Sequence, residues 1–233
     1  VYSSLPTWDG WVEALDGVRV VSLELPGFGL TGPNDAREYS LSYYVELLDA
    51  FCETLGLDEV TLAGNSLGGA IGWRFAVTHP DRVRRLLLLD AGRQQLLPPE
   101  GKLLTAPGFD VVPRYVTPRA TTRAILRDAY GDPDKLTADV VRRYHDLLLR
   151  AGNRRAVIKL AQSAGPAPFE PTSVPCPTLI QWGEEDDWLP LSLAERFAEE
   201  IPDARLQTYP GVGHVPMEEE PEQTARDAAA FLR

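Results

Sequence analysis

The sequence predicts an α/β fold, a mostly parallel sheet with flanking helices that is interrupted by a helical insertion. Three observations predict it. Short, near-continuous apolar runs end abruptly at Gly, Asp or Pro, and amphipathic stretches of helical period lie between them. The alternation then stops from about Leu96 to Thr172, where only helical patterns occur. Apolar runs without polar alternation suit strands covered on both faces, as in parallel sheets. Strand and helix signals in alternation define the α/β class.

The strand signals are residues 18–23, 59–63, 85–89, 178–182 and 205–209. The first runs into Pro26-Gly27-Phe28-Gly29, and the others stop at Gly64, Asp90, Gly183 and Pro210, residues that punctuate strands with turns. Helical periods occupy residues 43–55, 67–78, 192–200 and 222–232; Gly56, His79-Pro80 and Pro202 close the first three. In the insertion, residues 121–130 and 137–150 carry helical patterns, with Pro98-Pro99 leading in and Pro166, Pro168 and Pro171 leading out. The expected division is therefore a first core part at 1–95, a helical cap at 96–172 and a second core part at 173–233.

Composition narrows the function classes. The 233 residues include 23 Lys+Arg against 34 Asp+Glu, a net charge of −11. Such a surface repels phosphate backbones, and the densest basic cluster, Arg82 with Arg84 and Arg85, reads as a solvated connection; no nucleic-acid partner is expected. No apolar run reaches the roughly 18 residues of a membrane span. Two cysteines and three histidines without ligand spacing exclude a disulfide framework and a structural zinc site, so neither metal nor cofactor is expected. The cysteine count and the lack of a targeting segment point to the cytoplasm.

The chemistry gathers around Gly64-Asn65-Ser66-Leu67-Gly68-Gly69, at the end of a strand signal and the start of a helix. A G-x-S-x-G turn presents its serine on a strained corner, with glycines two before and two after allowing close backbone approach. A serine nucleophile needs a base, and the base an orienting acid. Of His79, His145 and His214, the last follows the final strand in Gly211-Val212-Gly213-His214. His79 reads as a helix-end residue and His145 as part of an exposed polar face. Asp186, Asp187 and Asp90 all follow strand ends and are the acid candidates; Asp187 reads as solvated.

With Leu25-Pro26-Gly27-Phe28-Gly29, Trp182-Gly183-Glu184-Glu185-Asp186, Pro190 and Gly213-His214, these motifs resemble the α/β-hydrolase superfamily, in its capped serine esterase and carbon–carbon hydrolase branch. The resemblance spans essentially the whole chain and keeps the order Ser, Asp, His. It implies Ser66 as nucleophile, Asp186 as acid, His214 as base and the Leu67 N–H as one oxyanion donor. The family commonly has Asp where Glu24 stands, a change expected to alter a structural contact. By family spacing the second oxyanion donor is Val1.

The activity implied is hydrolysis of a carboxylic ester, or a similar acyl bond, in a small apolar substrate. The alternatives are carbon–carbon hydrolysis of a ring-cleavage diketone and a ligand-binding receptor that keeps a hydrolase triad. Gly64-Asn65-Ser66 resembles the diketone branch, whereas Val215-Pro216-Met217 stands where that branch usually has Trp after the histidine. The family sheet has eight strands against five signals here, and one absent strand belongs between residues 18–23 and 59–63. The gap is expected to bury unpaired backbone groups, and about 40–60 further residues, upstream or as a separate peptide, are expected to complete the sheet.

Overall fold

A computed structural model describes residues 4–34, 38–92, 115–162 and 171–233. Its centre is a parallel sheet of four strands in the order β1 (Val60–Asn65), β2 (Val83–Leu89), β3 (Thr178–Gly183) and β4 (Ala204–Tyr209). The two middle strands read as unbroken apolar runs because both faces are covered. Leu86, Leu88, Ile180 and Trp182 enter one core, and Leu87, Leu89 and Leu179 enter the other.

On the first face lie helices α1 (Asp9–Ala14), α2 (Leu41–Thr54) and α3 (Leu67–Thr78) only in part: α2 and α3 pack there through Tyr44, Ile71 and Phe75, whereas α1 sends Trp11 into the opposite core. Ser40 caps α2, its hydroxyl accepting the Tyr43 N–H at 3.1 Å, the usual device for a first turn with orphan donors. Between β2 and β3 come α4 (Arg119–Ala129) and α5 (Ala138–Leu149), as the helical periods predict, and α6 (Asn153–Gln162), which no period singled out. α7 (Leu191–Glu200) links β3 to β4. The short α8 (Pro216–Glu219) and α9 (Pro221–Leu232) close the chain. Trp11 Nε1 donates to Thr224 Oγ1 at 2.8 Å, tying α1 to α9. The insertion's residues 93–114 and 163–170, with Pro98, Pro99, Phe109, Pro166 and Pro168, lie outside the described residues, as does Val1.

Residues 18–23 are not a strand. They run without secondary structure, and Val18, Val20 and Val21 are 44%, 41% and 39% exposed. A strand needs a partner, and here a cavity of about 670 Å3 lies between residues 18–25 and 59–65. β1 is thus an edge strand. The sequence led us to expect buried backbone along this gap, but Thr61, Ala63 and residues 18–22 are exposed.

Candidate active site

Each strand delivers one element of the site at its carboxyl end, where open α/β sheets place ligands. β1 ends at Asn65 and α3 begins at Leu67, so Ser66 alone makes the turn, at φ +53°. Such a conformation in a residue with a Cβ costs about 1–3 kcal/mol and persists only when its surroundings impose it. Here the Ser66 N–H is shared between the carbonyls of Leu89 (3.0 Å) and Asp90 (3.1 Å), and the Ser66 carbonyl accepts from Ala70 and Gly92. Leu67 opens α3, where the first N–H groups have no intrahelical acceptor and the helix dipole favours negative charge.

The glycines divide their work differently from the sequence reading. A Cβ on Gly64 would lie 2.4 Å from the Gly68 backbone, and one on Gly69 2.4 Å from Ala91 Cβ; at Gly68 it would meet nothing within 4 Å. Close approach therefore needs Gly64 and Gly69, not Gly68.

Asp186 follows β3 in a tight turn, its Oδ1 accepting the N–H groups of Trp188 (2.8 Å) and Leu189 (3.0 Å). Its Oδ2 lies 2.7 Å from His214 Nδ1, and both side chains are buried. His214 Nε2 is buried with no hydrogen-bond partner among the described residues. The Trp188 ring lies 4.8 Å from the imidazole, centroid to centroid. Asn65 joins the serine turn to the histidine loop, its Nδ2 donating to the carbonyls of His214 (2.9 Å) and Leu89 (3.1 Å). Asp187 is exposed, as expected. His79 sits at the end of α3, Nδ1 2.8 Å from Thr78 Oγ1. His145 departs from expectation: it is buried, with Nδ1 3.0 Å from Thr122 Oγ1, because α4 covers that face of α5.

Sequence reasoning missed Glu219. Its buried carboxylate accepts N–H groups from Gly213 (2.8 Å), Asp132 (3.0 Å) and Gly131 (3.3 Å). Burial holds its carboxyl above the ordinary carboxylate range, against the pull of those donors and Lys135. The His214 N–H donates to Ala129 O at 2.7 Å, so the histidine loop is fastened to the last residue of α4. Next to it, Glu218 accepts from Tyr130 (2.5 Å), Tyr144 and Arg143 (2.8 Å each). The structural contact expected of Glu24 is also present: its carboxylate accepts the N–H groups of Leu5, Leu30 and Thr31.

Ligand atoms of Asp90, Asp186 and His214 lie within 4.8 Å of one another, but His214 Nδ1 is committed to Asp186, so the set does not offer three free ligands. The 670 Å3 cavity touches Asn65, Leu67 and Gly68 but none of Ser66, Asp186 or His214. Among the described residues no helix is long and apolar enough to cross a membrane.

A parallel sheet with a serine turn after β1, an acid after β3 and a histidine after β4 has the organisation of an α/β hydrolase. The alpha/beta hydrolase family profile matches residues 5–228, and the chain belongs to that family. A 2-hydroxy-6-oxononadienedioate/2-hydroxy-6-oxononatrienedioate hydrolase of a Pseudomonas species is 28% identical over 88% of this chain and 73% of its own. A 2-hydroxymuconate semialdehyde hydrolase of Pseudomonas putida is 27% identical over 97% of this chain and 81% of its own. Among solved structures, a meta-cleavage product hydrolase from Pseudomonas fluorescens superposes with a TM-score of 0.85 at 22% identity, over 99% of this chain and 85% of the other. A thermophilic esterase from Thermogutta terrifontis gives 0.82 at 25% identity, over 97% and 84%. This chain is a hydrolase.

Proposed function

We propose that the chain hydrolyses a carbon–carbon bond beside a ketone, in a diketone of the kind produced by aromatic ring cleavage, with Ser66, His214 and Asp186 as its triad. The observation that carries this reading is the match to relatives named as hydrolases of such compounds over nearly the whole chain. It reverses the order of the sequence-based expectations, in which the ester came first. Ser66 Oγ attacks the ketone carbon while His214 Nε2, unpartnered among the described residues, takes its proton. The Leu67 N–H faces the oxyanion. The carbon–carbon bond breaks, the departing carbanion receives the proton from His214, and water activated by His214 hydrolyses the acyl-enzyme. Asp186 holds the imidazole with Nδ1 protonated and stabilises the imidazolium. Helices α4 to α6 roof the site as a cap.

Ester hydrolysis is the second reading, and a specific observation favours it: Val215, not Trp, follows the histidine, beside the likeness to a thermophilic esterase. The same triad performs either reaction. A panel of ring-cleavage dienoates and p-nitrophenyl esters of graded length decides between them by kcat/KM. The expected result is a dienoate preferred over every ester, and Ser66→Ala lowering kcat at least about 10⁴-fold on all of them. An ester preferred throughout the panel selects the second reading.

A further inference from the structure

Asp90 stands in a place that a strand-ending aspartate does not need. It is fully buried at the carboxyl end of β2, at φ +41°. Its N–H donates to Gln181 O, its carbonyl accepts the Ser66 N–H, and its Oδ1 accepts the Gly183 N–H at 3.0 Å. Its Oδ2 is buried with no hydrogen-bond partner among the described residues, although the Asp90 carboxyl lies within 4.8 Å of both Asp186 and His214. A buried carboxylate oxygen without a donor is costly, whereas a carboxylic acid could use that oxygen to donate.

We propose that Asp90 is a positioning residue that backs Asp186, hydrogen-bonding to its carboxylate and replacing it opposite His214 Nδ1 when Asp186 is removed. The inference rests on the triad proposed above. Two carboxylates this close share one negative charge. Burial first, then the charge of Asp186, holds the Asp90 carboxyl well above its ordinary range. The other ionisable groups facing it are Glu219, Tyr209 and His214. Asp186 Oδ1 accepts the N–H groups of Trp188 and Leu189, and its Oδ2 lies 2.7 Å from His214 Nδ1. Once Asn stands at position 186, Asp90 loses its charged competitor and can ionise and accept the Nδ1 proton.

The test uses a fluorophosphonate, which reads serine activation without assuming the natural substrate: Ser66 Oγ bonds to phosphorus, fluoride leaves, and the serine proton passes to His214. Asp186→Asn should label at least about 100-fold faster than Asp186→Asn/Asp90→Asn, against a full triad-acid loss near 10⁴-fold. Asp90→Asn alone should lower the labelling rate by up to about tenfold, far less than Asp186→Asn/Asp90→Asn. The pH profile of Asp186→Asn should rise at higher pH than the native profile, because a buried Asp90 must now ionise. Should the double variant misfold, Asp90→Ser replaces Asp90→Asn, keeping an acceptor for Gly183. Proton NMR of Asp186→Asn alone gives a further readout, a low-field Nδ1–H resonance of His214. Equal rates and pH profiles for Asp186→Asn and the double variant, or no such resonance, would overturn the inference. Undiminished labelling of Ser66→Ala would instead overturn the triad on which it rests.

Discussion

Glu219 illustrates how little of a residue's role lies in its own neighbourhood along the chain. Three N–H donors converge on one carboxylate, one of them from the residue before His214 and two from the start of the loop after α4. Glu219→Gln keeps the shape but turns one acceptor into a donor facing those N–H groups. Misplacing a catalytic group by about 1 Å can cost 100-fold, so kcat should fall about 10–100-fold with KM nearly unchanged; a KM effect with kcat intact would assign Glu219 to binding instead. Asp90 carries a pH signature. Its folded-state pKa is raised, so between the unfolded value and the folded one the native state binds the extra proton. Stability from this group is present at low pH and declines as pH rises through that window, by at most about 1.4 kcal/mol per pH unit. Asp90→Asn removes this decline, and melting temperatures of variant and native protein should diverge in the variant's favour from pH 4 toward neutrality.

Where elements meet, glycine replaces side chains with backbone contact. A Cβ on Gly183 would lie 2.1 Å from Gly213 O, and one on Gly213 would lie 2.4 Å from Gly131 N, so the acid loop, the histidine loop and the segment after α4 touch through three glycines. The serine turn uses the same device at Gly64. Gly64→Ala should therefore lower stability by about 1–3 kcal/mol through forced backbone shifts, whereas Gly68→Ala, with open space at its Cβ, should leave the melting temperature within about 2 °C of native or raise it through helix propensity. This contrast also marks what was legible in the sequence. Ser66 and His214 stand out as candidates because each follows a strand signal ending in turn chemistry, a local pattern, whereas Asp90, Asp186 and Asp187 share that pattern and only the family resemblance singles out Asp186. Glu219 does not stand out, since Glu218-Glu219-Glu220 reads as a solvated acidic run and its partners Gly131 and Asp132 lie 88 and 87 residues away. His145 reads as exposed for the same reason: only α4 packing over α5 buries it. Residues 18–23 have a strand's composition, but strand formation requires a neighbour, and the sequence of those six residues contains no information about that.

At the scale of the whole molecule, the sheet has two edges of different character. β4 carries Arg205, Gln207 and Thr208, polar side chains of the kind that discourage pairing with another chain. β1 reads Val60-Thr61-Leu62-Ala63-Gly64-Asn65, without a charge, and opens onto the cavity opposite exposed Val18, Val20 and Val21. An uncharged edge beside apolar surface is a template for strand addition, by a further segment of the same protein or by a second molecule. The opposing force is net charge: −11 on every molecule repels at long range, and salt screens this repulsion within about 10 Å at 0.1 M. Association should therefore grow with protein concentration and with ionic strength, the reverse of a contact held by surface ion pairs. Ala63 is exposed in the middle of β1, so Ala63→Lys places a charge on that edge without disturbing a buried contact. Light scattering at low and high salt should show association of the 233-residue chain at high salt, and little for Ala63→Lys in that same chain at an unchanged melting temperature. Equal association of both proteins would place the contact elsewhere than the β1 edge.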